Sequence, residues 1–297
     1  MSFELCCIGD LNIDIVTSKI KQMPEKEKQT LCSSFMFNLG GSSAITCAGA
    51  ANLGVKTALQ SCLGQDYFGE LLIKKLKKNK VRCFIEQPER IRTGCTFAMN
   101  FSDGSKSFVS WFENNWAFRK KMINFDVIKN SRHLHVSGLW HLKSLADSIP
   151  EIMRFAHSSC RTTSLDIGTA LKGDRKKAFE IFKNVDILFL NKHEMRNLRT
   201  NVRELLDYAD IVCVHAGEKG AFTYTKDEKY RTKSLGFKCL NPVGTGDVFN
   251  SGFLYGFLRN KTVKKCAEAG ILASTFYMTH AEQVFPKPGN LHYKKLL

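Results

Sequence analysis

The sequence is short of proline, of acidic residues and of long apolar runs. Six prolines and 21 glycines are spread over 297 residues with no low-complexity tract, which excludes collagen-like and linker-dominated chains. Asp and Glu number 28 against 44 Lys and Arg, a formal net charge of +16. That balance favours polyanionic partners such as nucleotides, phosphorylated metabolites or nucleic acid, without choosing among them. No run approaches the roughly 18 apolar residues of a membrane helix; the longest apolar stretches, such as Ile187–Leu190, are strand-sized, so no membrane partner is expected. The N-terminus carries Glu4, Asp10 and Asp14 and no basic segment, so a secretory signal is not expected. Eleven cysteines are scattered without a CxxC or a zinc-spaced Cys/His cluster, which points to reduced thiols in a cytoplasmic protein rather than a disulfide framework.

Several enzyme and binding classes are excluded by missing motifs. There is no GxxxxGK[ST], no GxGxxG after the first strand, no GxSxG, no HExxH and no protein-kinase signature set. The basic residues are not arranged as a helix-turn-helix, zinc finger or RNP-like module, so nucleic acid is not the expected partner. What remains is ordinary globular material, 43% hydrophobic and 24% charged, with length for about two domains.

The pattern along the chain is that of an α/β protein. Strands are expected at Phe3–Ile8, Leu59–Leu63, Leu134–Val136, Thr163–Leu165, Ile187–Leu190 and Ile211–Val214. Helices are expected at Ser42–Leu53, Gly69–Asn79, Lys176–Lys183, Val202–Tyr208, Asp247–Leu258 and Lys264–His280. Alternation of the two predicts a mostly parallel sheet. Two segments differ: Thr30–Phe37 reads as a strand, and Cys95–Trp111 reads as a hairpin turning at Asp103-Gly104. They are expected to pair as a small separate sheet.

Ligands of open α/β sheets sit beyond the carboxyl ends of the strands, and polar residues gather there. In Gly244-Thr245-Gly246-Asp247 two glycines precede an acid that opens an apolar helix. Their bare backbone can approach a phosphate, the helix N-terminus favours anions, and Asp247 is placed to take a proton from an attacking hydroxyl. The same four residues also fit a plain turn with Asp247 as helix cap. Asn191 and Glu194, directly after a strand, suit phosphate orientation and magnesium binding, or equally a capping box. Gly217-Glu218-Lys219-Gly220 is either a nucleotide loop or a hairpin turn. Asn12 and Asp14, two apart in an extended segment, suit gripping vicinal hydroxyls, or form a polar loop.

Taken in order, these elements resemble the PfkB family of ribokinase-like carbohydrate kinases. The resemblance covers nearly the whole chain: Asn12-x-Asp14, Gly40-Gly41 running to Leu53-Gly54, Gly64-x-Asp66-x-x-Gly69, Asn191-x-x-Glu194, Gly217-x-Lys219-Gly220 and Gly244-Thr245-Gly246-Asp247. It implies a ribokinase-like fold: a mostly parallel central sheet with helices on both faces, and a small β-sheet lid. It assigns residues 1–10, 38–89 and 115–297 to the α/β domain and 11–37 with 90–114 to the lid. It implies transfer of the ATP γ-phosphoryl group to a hydroxyl of a sugar or sugar-like molecule. Asp247 would be the base, with Gly244, Thr245 and Gly246 around the transferring group. Asn12, Asp14, Gly40, Gly41 and Ile45 would meet the substrate, and Asn191, Gly217, Lys219 and Gly220 the nucleotide. Glu194 would serve Mg2+, through water. The lid would carry an apolar face at Phe35, Phe37, Phe97, Met99 and Phe101, suited to a homodimer.

Four positions depart from the family pattern. Asn241 stands where an acid is usual, which leaves a monovalent cation open. Ile45 stands where a sugar-binding Asn is usual. Asp166–Ala170 keeps the Asp and lacks the following Asn and Arg, and His280-Ala281 replaces Gly-Ala. A nucleoside kinase of the same fold and a catalytically silent ligand-binding member are the alternatives.

Overall fold

The computed structural model describes residues 2–168 and 174–291. Among them thirteen strands follow in chain order: β1 (Phe3–Gly9), β2 (Asn12–Thr17), β3 (Phe35–Gly40), β4 (Thr57–Cys62), β5 (Arg82–Glu86), β6 (Cys95–Asn100), β7 (Lys106–Trp111), β8 (Ser131–Ser137), β9 (Thr162–Asp166), β10 (Ile187–Asn191), β11 (Ile211–His215), β12 (Ala221–Tyr224) and β13 (Lys229–Thr232). Nine form one sheet in the order β13-β12-β11-β10-β9-β8-β1-β4-β5. All its pairs are parallel except β11–β12 and β12–β13.

The apolar runs explain this sheet. A strand covered on both faces reads as continuous hydrophobicity rather than alternation, and β1 does so. Its Leu5 and Cys7 join one core, with Leu59, Phe189, Cys213 and the helices Ser42–Asn52 and Thr245–Leu258. Its Cys6 and Ile8 join the other, with Val136, Leu165, Leu188 and the helix Ile149–Ser158. The sheet is thus the middle layer of three, and its carboxyl ends open on one edge.

The remaining strands form a second sheet, β3-β2-β6-β7. Here β2 pairs antiparallel with β3 and parallel with β6, and β6–β7 is the expected hairpin. The third strand begins later than the sequence suggests, at Phe35 rather than Thr30, and runs on to Gly40, where it meets Asn12. Residues 30–34 have no partner strand. The antiparallel edge β12–β13 was not foreseen. Its two strands are four residues each, β12 alternating buried with half-buried and β13 exposed with half-buried, too short for a periodic signal. The helix expected over Val202–Tyr208 ends at Leu205.

Candidate active site

Two loops bring the chemistry together at the carboxyl edge. The first opens the helix Thr245–Leu258. Gly244 caps it in the left-handed conformation, φ 79°, and offers no side-chain cap. The first intrahelical bond in that turn runs from the Val248 N–H to the Gly244 carbonyl at 3.0 Å, so the preceding N–H groups have no acceptor within the helix. Asp247 falls in the first turn, not at the cap. The uncapped terminus therefore leaves donors that an anion could meet. A Cβ at Gly244 would stand 2.9 Å from Ile45 Cδ1 and 3.2 Å from the Tyr277 hydroxyl. Ile45 is 3% exposed. It packs under the loop, among core residues.

The second loop joins β1 to β2. Asn12 Nδ2 donates to Asp14 Oδ1 at 2.7 Å. Side chains two apart on β2 share a face, and a Cβ on Gly40, opposite Asn12, would collide with both. Gly41 turns beneath at φ 92°, against the Asp10 carbonyl. Asp10 itself is 1% exposed. It accepts from the Ser43 N–H at 3.0 Å and meets His141 Nδ1 at 3.1 Å. Asp10 is a site residue that the sequence reading passed over; its place directly after a strand-ending glycine was the available signal.

Four carboxyls, Asp10, Asp14, Asp166 and Asp247, share this edge, and they do not titrate alike. Burial would raise Asp10, yet the hydrogen bond and charge of His141 and the N–H groups of Ser43 and Ser42 hold it below the usual range. Burial and then the Asp10 charge push Asp14 up to about 7, against the bond from Asn12. Burial, then Asp166, Asp10 and Asp14, lift Asp247 well above the ordinary carboxylate range, against a hydrogen bond from Ser42. Asp166 is raised by burial, against His215 and the Asn250 amide. Thr46 Oγ1 donates to the Asp247 carbonyl at 3.2 Å, tying the two site helices together.

At β10, Asn191 and Glu194 form a complete capping box. The Glu194 carboxylate accepts from the Asn191 N–H at 2.8 Å and from Asn191 Nδ2 at 2.6 Å, and Asn191 Oδ1 accepts from the Glu194 N–H at 3.0 Å. Gly217–Lys219 forms a 3-10 turn linking the antiparallel β11 and β12, and Gly220 lies against the Thr232 carbonyl. No group of three His, Cys, Asp or Glu among the described residues is arranged to hold a metal. Magnesium carried by phosphates and water needs no such group, and Glu194 would be the carboxylate that serves it. A monovalent cation fits less well at Asn241. This residue supplies no charge, and its buried Nδ2, which lacks a hydrogen-bond partner, is a donor where a cation needs oxygen. Of the segment Asp166–Ala170, Thr169 and Ala170 lie outside the described residues.

Residues 2–288 match the model of the pfkB family of carbohydrate kinases. The chain belongs to that family. It is a carbohydrate kinase, a phosphotransferase with an alcohol acceptor. It is 26% identical to the nucleoside kinase of Methanocaldococcus jannaschii over 285 residues, 92% of this chain and 89% of that one. It is 28% identical to the ATP-dependent ribose-1-phosphate kinase of Halopiger xanaduensis over 264 residues, covering 88% and 86% of the two chains. The solved structure of Arabidopsis thaliana ribokinase with ribose and ATP superposes with a TM-score of 0.83 at 19% identity, covering 98% of each chain, which establishes the ribokinase fold. Within this kinase the family motifs stand at strand ends or helix starts, while Asn250, His215, His141 and the Asn114–Asn115 pair are site neighbours that no motif marked. Asn114 and Asn115 clamp the crossing to the smaller sheet: Asn115 Oδ1 accepts from the Leu11 N–H at 3.0 Å, and Asn114 Nδ2 donates to the Leu11 carbonyl at 2.7 Å.

Proposed function

We propose that this kinase moves the γ-phosphoryl group of ATP to a hydroxyl of a sugar or nucleoside held between the smaller sheet and the Gly244–Asp247 loop. One observation supports this above the others. The uncapped helix start and the Asn12–Asp14 pair stand at one edge: Thr46 bonds the Asp247 carbonyl from the helix that Gly40-Gly41 leads into, and Gly40 lies against both Asn12 and Asp14. Donors for the transferring group and acceptors for the hydroxyls of the substrate are thereby set on either side of a base.

In this reading Asp14 and Asn12 bind and orient the acceptor. Asp247 takes the proton of its reacting hydroxyl. The backbone donors of Gly244, Thr245 and Gly246 meet the charge that develops on the transferring group. Phosphoryl transfer needs little beyond positioning and charge stabilisation. Burial and the neighbouring carboxylates disfavour the charged form of Asp247 in the free protein, and bound positive charge favours it, so charge brought in with the nucleotide readies Asp247 as a base. Asn191, Gly217, Lys219 and Gly220 would line the nucleotide side. Glu194 would hold magnesium through water, and magnesium bound with the nucleotide supplies charge neutralisation at the phosphate oxygens.

The smaller sheet would act as a lid over the acceptor, and its outer face would pair with a second copy of the chain. Phe35, Phe97, Val109 and Trp111 are 58%, 48%, 61% and 42% exposed there. Phe101, expected on that face, is instead buried, at 7%. All eleven cysteines are free, in keeping with a reducing cytoplasm; no described helix is long and apolar enough to cross a membrane.

The test is ADP release with magnesium and ATP across a panel of sugars and nucleosides. Turnover on a member of the panel supports the reading. A protein that binds these ligands and never turns over would be the silent alternative. The similarity to a nucleoside kinase makes nucleosides the second acceptor class to examine.

A further inference from the structure

The seam between the large sheet and the helix Thr245–Leu258 holds a polar chain that the mechanism above leaves unused. Asp166 closes β9, His215 closes β11, and Asn250 lies on the helix one turn beyond Asp247. Asn250 Nδ2 donates to Asp166 Oδ2 at 2.6 Å, and His215 Nε2 meets Asn250 Oδ1 at 3.1 Å. Asn250 is 0% and Asp166 7% exposed. Directionality settles the protons. An ionised carboxylate only accepts, so it takes the amide NH2 and turns the amide oxygen toward the ring. That oxygen also only accepts, so Nε2 carries the proton. Phe189 lies nearly parallel to the imidazole, 24° and 6.3 Å between centroids, and Phe249 meets its edge at 5.0 Å, fixing the ring plane.

The opposite edge of the imidazole is thereby aimed at the anion loop. A Cβ on Gly246 would stand 3.3 Å from Nδ1 and 3.5 Å from Cε1. We propose that His215 is a phosphate-contacting residue of the transfer site, oriented by Asn250 and Asp166, and that it enters the nucleotide complex as the imidazolium. This inference rests on reading the Gly244–Asp247 loop as the phosphate site.

The reason for protonation is the tautomer. With Nε2–H committed to Asn250, a neutral ring presents the Nδ1 lone pair, which repels phosphate oxygen. The charged ring presents an N–H instead. In the free protein, burial favours the neutral ring and Asp166 opposes it. A phosphate on the second edge adds to the pull of Asp166, so nucleotide binding draws a proton from solvent. The titratable group acting on His215 is Asp166 from β9, and Asp247 follows directly on Gly246, the residue beside Nδ1; Phe189, Phe249 and Asn250 complete its surroundings. Asp247 must therefore be separated from His215 in the test.

The experiment is calorimetry of magnesium–ATP binding at pH 7.5 in two buffers of different ionisation enthalpy, which counts protons taken up. Asp247→Asn, which lacks the carboxyl that could release a proton, should take up a substantial fraction of a proton, and Asp247→Asn with His215→Gln almost none; wild type should exceed His215→Gln by the same amount. In steady state, His215→Gln should raise KM for ATP about tenfold, the scale of one charge-assisted hydrogen bond, with KM for the acceptor unchanged. It should also flatten the rise of KM for ATP on the alkaline side. Asn250→Ala, which frees the ring, should reduce the uptake while a thermal melt confirms folding. His215→Asn replaces the Gln variant if that one does not fold. Equal uptake in wild type and the His215 variants overturns the inference alone. Failure of the wild type to bind ATP overturns the phosphate-site reading and this inference with it.

Discussion

The two sheets of this kinase are built on opposite terms. In the large sheet the interior residues of β1, β8 and β10 are fully buried on both faces. Its polar side chains are either bonded within the sheet, as His133 and His135 are to Ser164, or stand at strand ends, as Asp166, Asn191 and His215 do. In the smaller sheet every strand divides its side chains. One face carries Asp14, Asn38 and Thr96 in register, all under 9% exposed; the other carries Phe37, Ile15, Phe97 and Val109 in one cross-strand row. The large sheet therefore has its core whether or not a ligand is present. The smaller sheet packs Ile15 and Phe37 against the core of the chain and leaves Phe97 and Val109 exposed. Rate and selectivity should accordingly fail separately when the two regions are altered.

The largest effect is expected on the large-sheet side. Asp247→Asn should lower kcat by about 10²–10⁴-fold, the usual worth of a general base. ATP affinity and folding should be retained. Near-wild-type turnover would remove Asp247 from the mechanism. On the other side, the double change Phe97→Lys with Val109→Lys places charge on the exposed row. It should convert a dimer into a monomer by light scattering at micromolar concentration and leave kcat within a few-fold. A wild type that is already monomeric would show that the apolar row has another cover.

Legibility followed the same division. Six strands of the large sheet, β1, β4 and β8 to β11, read as short apolar runs, while the edge strands β5, β12 and β13 did not, and the motif residues stood where strand ends predict ligands. Asn12 and Asp14 were readable because period-two spacing puts them on one face. Asn250, His215 and Asp10 were not, since a buried Asn in an apolar helix or a His at a strand end acquires meaning only from partners distant in sequence. The Asp166–Asn250 bond spans 84 residues. Ile45 shows the limit of motif reasoning. Where the pattern suggests a substrate contact, the helix turns the residue under Gly244. The capping box at Asn191–Glu194 was visible in sequence, and its completeness does not decide between cap and metal support. Glu194→Gln does: one charge fewer should raise the magnesium concentration for half-maximal rate several-fold at unchanged melting temperature. A lower melting temperature with an unmoved magnesium curve would leave only the cap.

The smallest effect sharpens the comparison most, because it separates stability from binding at one residue of the smaller sheet. Asp14 is 6% exposed and its pKa is raised to about 7 from an ordinary 3.8. The folded state therefore holds this proton more tightly than the unfolded chain. Below about pH 4 both states are protonated and the buried neutral acid contributes in full. Between 3.8 and about 7 that stability is progressively lost, because the unfolded chain releases the proton first. Above 7 the fold carries a buried charge beside Asp10. Asp14→Asn removes that cost and keeps an oxygen for the Asn12 amide. It should raise the melting temperature by several degrees at pH 8 and by nothing measurable at pH 4. The same substitution removes one of the charges that raise Asp247, so the acid limb of kcat should move to lower pH, while KM for the acceptor rises with loss of the carboxylate grip. Equal melting shifts at both pH values would mean that Asp14 is not a strained acid in the free protein. Its place on the polar face would then reflect packing alone.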